Sequence, residues 1–468
     1  MEEIKIHLYN TLSRKTEEFK EIEEGKVGIY SCGPTVYHYQ HLGNMRAVVF
    51  ADTVRRLLVS AGYEVTHIIN ITDVGHIVDD ADTGEDKMEK GAVREGKSVW
   101  EIAEFYTTDY FKCLNLLNIP RDAYFFPKAT DNIEEQIKLI QDLEVKGHTY
   151  ATTDGIYFDT NTFPSYADFA KLNVEGLRSG ARVEKNTEKK NITDFALWKF
   201  SNKDEQRQME WASPWGVGSP GWHIECSAMS MKYLGNHFDI HTGGKEHVTV
   251  HHTNEIAQSE AATGAQFVNY WLHYDWLSDS RGKMAKSSGD FLRLQSILDK
   301  DISVLAFRYY LLTAHYRTEQ MFSFEALSGS AVAYKKLCDL VANWSNLYTE
   351  LHETPDRETM LSYYKALYND INTPQALALL WNMVKDEKLS DEIKYVTLLA
   401  MDMTLGLGFK DVKKEEVSLS ENVSRLLKER LEARKVNNYA RSDEIRDQLA
   451  ELGYLVKDSK DEQIVSLK

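Results

Sequence analysis

Residues 29–46 read IYSCGPTVYHYQHLGNMR and lead from a short apolar run into the start of a helix. The apolar run predicts a buried strand that stops at Gly33-Pro34. After a short loop, His41–Asn44 is predicted to be the first helical turn. Backbone N–H groups are unpaired at such a helix start, so this segment predicts a phosphate-binding site. Cys32 ends the strand and places a soft metal ligand beside that site.

The segment that follows completes a strand–helix–strand unit. Apolar residues recur at helical spacing from Val49 to Ala61, and Gly62 suits the end of this helix. Residues 64–72 then predict a second buried strand. This order predicts an α/β fold, in which a Rossmann-like domain binds its ligands at the carboxyl ends of a parallel sheet.

Length and composition limit the class of protein. The 468 residues are too many for one ordinary core, and 43% hydrophobic and 27% charged residues are typical of soluble globular proteins. We expect no membrane association, because no apolar run reaches the roughly 18 residues of a membrane span. The absence of a secretory pattern and the wide spacing of the four cysteines favour a cytoplasmic location. The formal net charge of −17 disfavours unspecific binding to nucleic acids but permits a local RNA contact.

Changes in the sequence pattern divide the chain into successive regions. Residues 79–97 are charged and contain glycine, which predicts an exposed loop. Asp154-Gly155 predicts a hairpin turn within an insertion, and residues 410–420 predict a linker. The expected regions are the first half of the sheet domain (1–120), an insertion (121–205), the second half of the sheet domain (206–295), a helical bundle (296–412) and a small C-terminal domain (413–468).

Residues from distant parts of the chain make up a candidate metal set. His251 and Glu255 are four positions apart, on one face of a predicted helix. Cys226 follows a Pro-Gly helix start, and with Cys32 the set offers the donors of a tetrahedral zinc site. Spacing alone leaves the ordinary alternative open, because a buried cysteine is usually a small apolar residue and a His–Glu pair usually a surface pair.

A second candidate phosphate contact lies far downstream, where residues 283–289 read KMAKSSG. Lys283 and Lys286 in a run of small residues suit a clamp on a polyphosphate, and the alternative is a solvated turn. Basic residues between Arg425 and Arg446 similarly suit an RNA backbone, although a solvated charged helix has the same composition.

Further motifs are spread over nearly the full length of the chain. They are Cys32–Tyr37, His41–Asn44, Asn70–Asp73, Trp198–Lys199, Ser213–Gly216, Gly221–Met229, His251–Glu255, Lys283–Ser287, His315–Arg317 and Arg434–Leu452. In this order and spacing the chain resembles the class I cysteinyl-tRNA synthetases. The resemblance rests on the whole series, because no single motif is specific enough to carry it.

The resemblance implies a reaction in two steps. Cysteine attacks the α-phosphate of ATP, which is bound with Mg²⁺, and this gives cysteinyl-adenylate and pyrophosphate. The adenylate then acylates the terminal ribose of the cysteine tRNA. The resemblance also implies one zinc ion per chain, a monomer, a bundle that contacts the tRNA stem and a C-terminal domain that reads the anticodon. The insertion is too short to be an editing domain.

Site residues are implied only where this sequence matches the family's motifs. The zinc ligands would be Cys32, Cys226, His251 and Glu255, which the substrate thiolate would join. The contacts to ATP and pyrophosphate would be His41, Asn44, His241, Lys286 and, in a supporting role, Lys283. The cysteine pocket would include Thr72 and Trp222.

The sequence departs from the family pattern at three positions. Asn44 stands where many class I enzymes have histidine, Ala285 where serine is usual, and Ser219 where arginine is common. Asn44 can still donate a hydrogen bond but carries no charge, and the loss of a hydroxyl at Ala285 leaves both lysines in place.

Other functions remain open at this point. A ligase that joins cysteine to an amino sugar would share the zinc and ATP sites but lack the long C-terminal domain. A zinc hydrolase would need a general base beside the metal, as in His-Glu-x-x-His, and that motif does not occur in the sequence. A non-catalytic tRNA-binding protein would have no use for the lysines and the zinc ligands together.

Overall fold

The computed structural model describes residues 4–75, 87–172, 188–201, 207–280, 282–283, 291–413, 420–458 and 463–467. The first part of the chain is a hairpin followed by the predicted strand–helix–strand unit. Its elements are β1 (His7–Asn10), β2 (Lys15–Glu18), β3 (Lys26–Ser31), α1 (Leu42–Ser60) and β4 (Glu64–Ile69). β3 pairs in parallel with β4, from Lys26 opposite Glu64 to Ser31 opposite Ile69. Side chains on both faces of β3 are buried after Lys26, which explains why the run from Val27 to Tyr30 is apolar.

Two helices follow, and the first of them corrects a prediction. The charged stretch 79–97 is not an exposed loop throughout, because α2 (Lys87–Glu95) lies within it, while residues 76–86 are outside the described part. Met88 and Ala92 are buried on one face of α2, four positions apart, and the surrounding charges hid this short apolar face. α3 (Val99–Leu116) begins at a capping box formed by Ser98 and Glu101.

The predicted insertion contains α4 (Ile133–Val145) and an antiparallel sheet. The sheet consists of β5 (Thr149–Ala151), β6 (Gly155–Phe158), β7 (Phe195–Phe200) and β8 (Gly218–Pro220), in that order. The hairpin predicted at Asp154-Gly155 is present, and Thr149 pairs with Phe158 across it. The fourth strand lies beyond residue 205, so the sheet crosses the predicted end of the insertion.

The second half of the central sheet comes from later in the chain. It is built from α5 (Trp222–Leu234), β9 (Phe238–Gly244), α6 (His251–Thr263) and β10 (Val268–Tyr274). The strand order is β10-β9-β3-β4, and every pair is parallel. The predicted parallel-sheet α/β fold is therefore confirmed. All four strands end at one edge, where the chain segments that follow β3, β4 and β9 meet.

A small sheet and a short helical segment connect this domain to the bundle. The elements are β11 (Leu277–Asp279), β12 (Gly282–Lys283), α7 (Leu294–Leu298), α8 (Val304–Leu312) and β13 (Gln320–Met321). β11 is the central strand, antiparallel to β12 and parallel to β13. The bundle comprises α9 (Phe324–Leu347), α10 (Arg357–Leu367), α11 (Thr373–Lys385) and α12 (Asp391–Leu405).

The C-terminal residues form a small core of their own. It is built from α13 (Glu421–Lys435), α14 (Tyr439–Glu451), β14 (Tyr454–Asp458) and β15 (Gln463–Leu467). Its buried residues are Val423, Leu426, Leu427, Ile445 and Leu449. Residues 414–419 of the predicted linker lie outside the described part. Among the described helices, none has the length and apolar character that a bilayer crossing requires.

Candidate active site and metal centre

A cavity of about 540 Å³ opens at the carboxyl edge of the central sheet. This is the edge at which parallel α/β sheets bind ligands. Sequence-predicted residues on its wall are Cys32, His41, Asn44, Thr72, Trp222, Cys226 and His251. The fold thus brings together, on one cavity wall, predictions made from segments more than 200 positions apart.

The turn after β3 carries Cys32 to the cavity because the chain passes very close to the end of β4. Asn70 Oδ1 accepts a hydrogen bond of 2.8 Å from the backbone N–H of Gly33. A Cβ atom at Gly33 would lie 1.6 Å from the carbonyl oxygen of Asn70, so only glycine fits there. Thr72 is held nearby, since its hydroxyl accepts a 3.0 Å hydrogen bond from the Asn70 side chain.

The four predicted zinc ligands converge. One donor atom from each of Cys32, Cys226, His251 and Glu255 lies within 4.8 Å of the other three. Cys226 is one turn into α5, and the other two helical ligands occupy the first and second turns of α6. These helices pack side by side, so their ligands face each other across the contact.

A second donor set overlaps the first. It consists of Cys32, His241, His252 and Glu255, also within 4.8 Å of one another. Nε2 of His252 lies 3.3 Å from the sulfur of Cys32. The two sets share a cysteine and the glutamate, and they differ in offering either a second thiol or a second imidazole. Zinc has the greater preference for thiolate, which favours the predicted set.

The charges at this centre fit a bound divalent cation. Glu255 is fully buried, and burial raises its pKa well above the usual value. Its Oε1 lies 3.0 Å from Nε2 of His251, and among the described residues no lysine or arginine forms an ion pair with Glu255. Burial likewise raises the pKa of the Cys32 thiol well above its ordinary value. Buried acidic groups without a cationic partner are costly, and a metal ion bound to them removes that cost.

His241 lies deeper in the fold than the predicted residues that line the cavity. It was expected at the adenylate pocket, but it is fully buried and its Nε2 lies 2.9 Å from Oε2 of Glu255. Its ring stacks on Trp271, with centroids 4.6 Å apart. Burial lowers the pKa of His241 to about 3, so the imidazole is neutral, and its Nε2–H can donate a hydrogen bond to Glu255 when that carboxyl group is ionised. The structure therefore places His241 behind Glu255 instead of on the cavity wall.

This contact leads to a testable expectation for metal affinity. His241→Phe keeps an aromatic ring against Trp271 but removes the hydrogen bond to Glu255, so zinc affinity should fall about 10–100-fold. Competition with a chromogenic chelator measures the change. His237→Phe is the matched control, because His237 directly precedes β9, the strand that carries His241, but its side chain is exposed. Equal zinc affinities of the two variants would contradict the orienting role.

The start of α1 lines the cavity and is capped by its own side chains. His41 is the N-cap residue of α1, and its Nδ1 accepts a 3.2 Å hydrogen bond from the N–H of Asn44. In return, Oδ1 of Asn44 accepts a 3.1 Å hydrogen bond from the N–H of His41. This reciprocal capping box gives Asn44 a structural role that the sequence comparison with other class I enzymes did not suggest.

The lysine prediction lies largely outside the described residues. Lys286 is not described, and only the backbone of Lys283 is, in β12. The chain that returns at residue 291 lies beside the helix start, since the N–H of Leu42 donates a 2.9 Å hydrogen bond to the carbonyl of Leu292. The ring of Phe291 lies 6.4 Å from that of His41.

Sequence reasoning missed a carboxylate in the cavity wall. Glu246 lines the cavity and accepts a 2.7 Å hydrogen bond from Nε1 of Trp276, which also lines it. Its position was a usable signal, because polar residues just after a strand of a parallel sheet fall at the ligand edge. Trp276 likewise follows a strand of this sheet, β10, by two residues, but a tryptophan there does not by itself indicate a ligand site.

Two family models match this chain. The tRNA synthetases class I (C) catalytic domain matches residues 18–332, and the cysteinyl-tRNA ligase anticodon binding domain matches residues 416–465. The first match alone covers more than half of the chain, and the second coincides with the small C-terminal core.

Curated relatives match over almost the whole length. A protein of Treponema denticola named cysteine--tRNA ligase is 44% identical over 482 aligned residues, which cover 97% of this chain and 98% of the relative. A Burkholderia lata protein named cysteine--tRNA ligase 1 is 46% identical over 459 residues, which cover 98% of this chain and 96% of the relative.

Among solved structures, the fold is similar to that of Mycobacterium tuberculosis methionyl-tRNA synthetase bound by methionyl-adenylate. The TM-score is 0.57 at 14% identity, with 83% of this chain and 92% of that chain covered. At this identity the likeness concerns the fold alone. The family models and the near-full-length relatives carry the conclusion that the chain belongs to the class I cysteinyl-tRNA synthetases.

Proposed function

We propose that the chain is a cysteine–tRNA ligase. It activates L-cysteine with ATP to cysteinyl-adenylate, releases pyrophosphate, and transfers the cysteine to the 3′-terminal ribose of the cysteine tRNA. The observation that carries this proposal is the meeting of a Cys₂HisGlu donor set and the capped start of α1 in one cavity. In this cavity a thiol-bearing substrate and a polyphosphate would bind next to each other.

The donor set provides the selectivity for cysteine. Cys32, Cys226, His251 and Glu255 would hold one zinc ion. When bound, zinc supplies a soft Lewis acid that prefers a thiolate to a hydroxyl. Trp222 lies against this set, with its ring 4.5 Å from that of His251, and closes the pocket on one side. Serine differs from cysteine only by oxygen in place of sulfur, and the shape of a pocket distinguishes two such similar side chains only weakly. The chemistry of the metal ligand must therefore provide the discrimination against serine.

The helix start and the lysines provide the phosphate chemistry. His41 and Asn44 would contact the phosphates of ATP, bound with Mg²⁺, at the N-terminus of α1. Lys286, assisted by Lys283, would stabilise the pyrophosphate as it leaves. Phosphoryl activation of this kind depends on positioning and on donors aimed at developing negative charge, and it needs no covalent protein nucleophile. One strand-to-helix turn, from Cys32 to His41, would align the two reactants.

The C-terminal half would bind the tRNA. In this proposal the bundle at 296–412 contacts the stem, and residues 413–468 read the anticodon, whose splayed bases can be stacked and hydrogen-bonded. The enzyme would act as a cytoplasmic monomer. The C-terminal domain also distinguishes this proposal from a ligase that uses an amino sugar, which would have no need of it.

Cysteine-dependent ATP–pyrophosphate exchange by the zinc-loaded protein tests the proposal. We expect exchange with cysteine, and a preference over serine well beyond the roughly 10–200-fold that a shape-fitted pocket provides. Prolonged chelation should remove the exchange, and added zinc should restore it. Charging of a cysteine tRNA transcript, with an amino sugar as the competing acceptor, tests the second step.

Three outcomes would reject parts of this proposal. No cysteine-dependent exchange by the zinc-loaded protein would reject the activation step. Serine activation at a rate close to that of cysteine would reject selection by the metal. Transfer to the amino sugar with no charging of tRNA would replace the proposed acceptor.

A further inference from the structure

Helix α1 lines the cavity with one face and packs against another segment of the chain with the opposite face. Spacing of three and four residues puts one set of side chains toward the cavity and another toward the chain around residues 311–320. The cavity face consists of Gly43, Asn44, Ala47, Val48 and Ala51. The opposite face includes Arg46, Val49, Phe50 and Thr53. The residues that touch substrate and those that hold the helix in place therefore lie on one rigid element.

Arg46 is the charged residue among those named on the second face and is 4% exposed. Nη1 donates a 2.6 Å hydrogen bond to Oε1 of Gln320, and Nη2 donates one of 2.6 Å to the carbonyl of Thr318. The carbonyls of His315 and Tyr316 lie 3.4 and 3.3 Å from Nη2. Among the described side chains no carboxylate pairs with Arg46, so every acceptor it binds is a neutral oxygen. The planar guanidinium thus holds one short irregular segment at several points.

That segment leads directly into the small sheet beside the cavity. Gln320 begins β13, and its N–H donates a 2.9 Å hydrogen bond to the carbonyl of Trp276. The next hydrogen bond between β13 and β11 runs over 2.7 Å from the N–H of Phe322 to the carbonyl of Ser278. Ser278 also pairs with Lys283 of β12. A continuous series of hydrogen bonds therefore runs from Arg46 through Gln320 to the cavity wall and to the strand that carries Lys283.

The chain on the far side of the lysines is attached to the same turn of α1. Leu292 accepts the hydrogen bond from Leu42 described above, and Leu42 and Arg46 are four positions apart on the same side of the helix. The described chain on each side of residues 284–290 is thus tied to one helical turn. That turn also presents His41 and Asn44 to the cavity.

We propose that Arg46 is a positioning residue for ATP activation, which holds β11–β13 and the entry to the lysine segment in register with His41 and Asn44. The inference rests on the proposed function, in which these residues act on the same triphosphate. Displacing a contact by about 1 Å can reduce a rate about 100-fold. Loss of the Arg46 contacts should therefore impair the use of ATP and leave the cysteine side untouched.

The test compares Arg46→Gln with Arg56→Gln in the full-length, zinc-loaded chain. Arg56 is on the same helix, pairs with Asp52 at 2.7 Å and donates a 2.7 Å hydrogen bond to the carbonyl of Asn118, but lies away from the cavity. For Arg46→Gln we expect kcat of cysteine-dependent exchange to fall about 100-fold and KM for ATP to rise. KM for cysteine and the zinc content should stay within about twofold. Arg56→Gln should lower thermal stability without these kinetic changes.

Two further variants separate positioning from charge and from general stability. Arg46→Lys keeps the charge but cannot span Gln320 and the carbonyls together, so it should remain impaired. Gln320→Leu should show the same kinetic pattern, and in the double variant with Arg46→Gln the losses should not add. If Arg46→Gln fails to fold, Arg46→Lys and Gln320→Leu still decide the matter.

Several results would overturn the inference. They are full activity of Arg46→Lys, additive losses in the double variant, equal kinetic losses in Arg56→Gln, or a parallel rise in KM for cysteine. Failure of the proposed function itself would look different, because the unmodified chain would then show no cysteine-dependent exchange.

Discussion

Cys226→Ser is expected to lose zinc and, with it, cysteine-dependent ATP–pyrophosphate exchange. A serine hydroxyl fits the space of the thiol, which is 2% exposed, but its much higher pKa makes it a poor zinc ligand. Sharing the 10–16 kcal/mol of a four-ligand site evenly gives about 2.5–4 kcal/mol per ligand, which is about 10²–10³-fold in affinity. Metal content after dialysis and the exchange rate at saturating ATP measure the two effects.

Cys113→Ser is the matched control for this variant. Cys113 is a free, half-buried cysteine in α3 and belongs to neither donor set. It should keep its zinc and its exchange activity. A Cys226→Ser protein that retains zinc with unchanged affinity would show that the ion uses the alternative set of Cys32, His241, His252 and Glu255.

His41→Asn is expected to leave the fold intact and to reduce the exchange rate about 10²–10³-fold, the effect of removing one donor from a developing oxyanion. Asparagine is among the best N-cap residues, so its side chain can replace the acceptor that His41 offers to the N–H of Asn44. The imidazole that lines the cavity would be lost. Thermal melting and exchange kinetics of the same preparation separate the two roles.

His41→Ala completes the comparison, because it removes the cap as well as the imidazole. It should lose about 1 kcal/mol more stability than His41→Asn, with a similar exchange rate. A His41→Asn enzyme with more than half of the original rate would show that His41 acts only as a helix cap. Unchanged KM for cysteine in both variants would place the defect on the ATP side.

The parallel strand–helix–strand unit and the placing of two metal donors on one helix face could be predicted because both depend on local sequence. The apolar runs around Ile29 and Ile68 predict parallel strands, and the spacing of His251 and Glu255 puts both on one helix face. The resemblance then supplied the pairing of these residues with Cys32 and Cys226. The structure bears out that convergence, since the helices that carry the ligands pack against each other.

The wrong loop prediction and the unforeseen burial of His241 share a physical cause. α2 was mistaken for a loop because its apolar face is only two residues wide, and its stability comes from packing on α3. The place of His241 depends on the depth of β9 in the sheet and on the direction of Glu255, which is a long-range property. Neither is encoded in a window of neighbouring residues.

The sequence by itself determined the chemistry that this chain can offer: two thiols, an imidazole and a carboxylate for a metal, and a strand-to-helix turn for a phosphate. Tertiary structure alone decided which groups surround them, because contacts such as Arg46 with Gln320 and His241 with Glu255 join elements that are distant in sequence or lie in different layers. Gly33 shows how a single residue of the sequence affects the tertiary structure. A Cβ there would meet the chain at Asn70, so a local choice of residue permits the close approach that brings the thiol of Cys32 to the cavity.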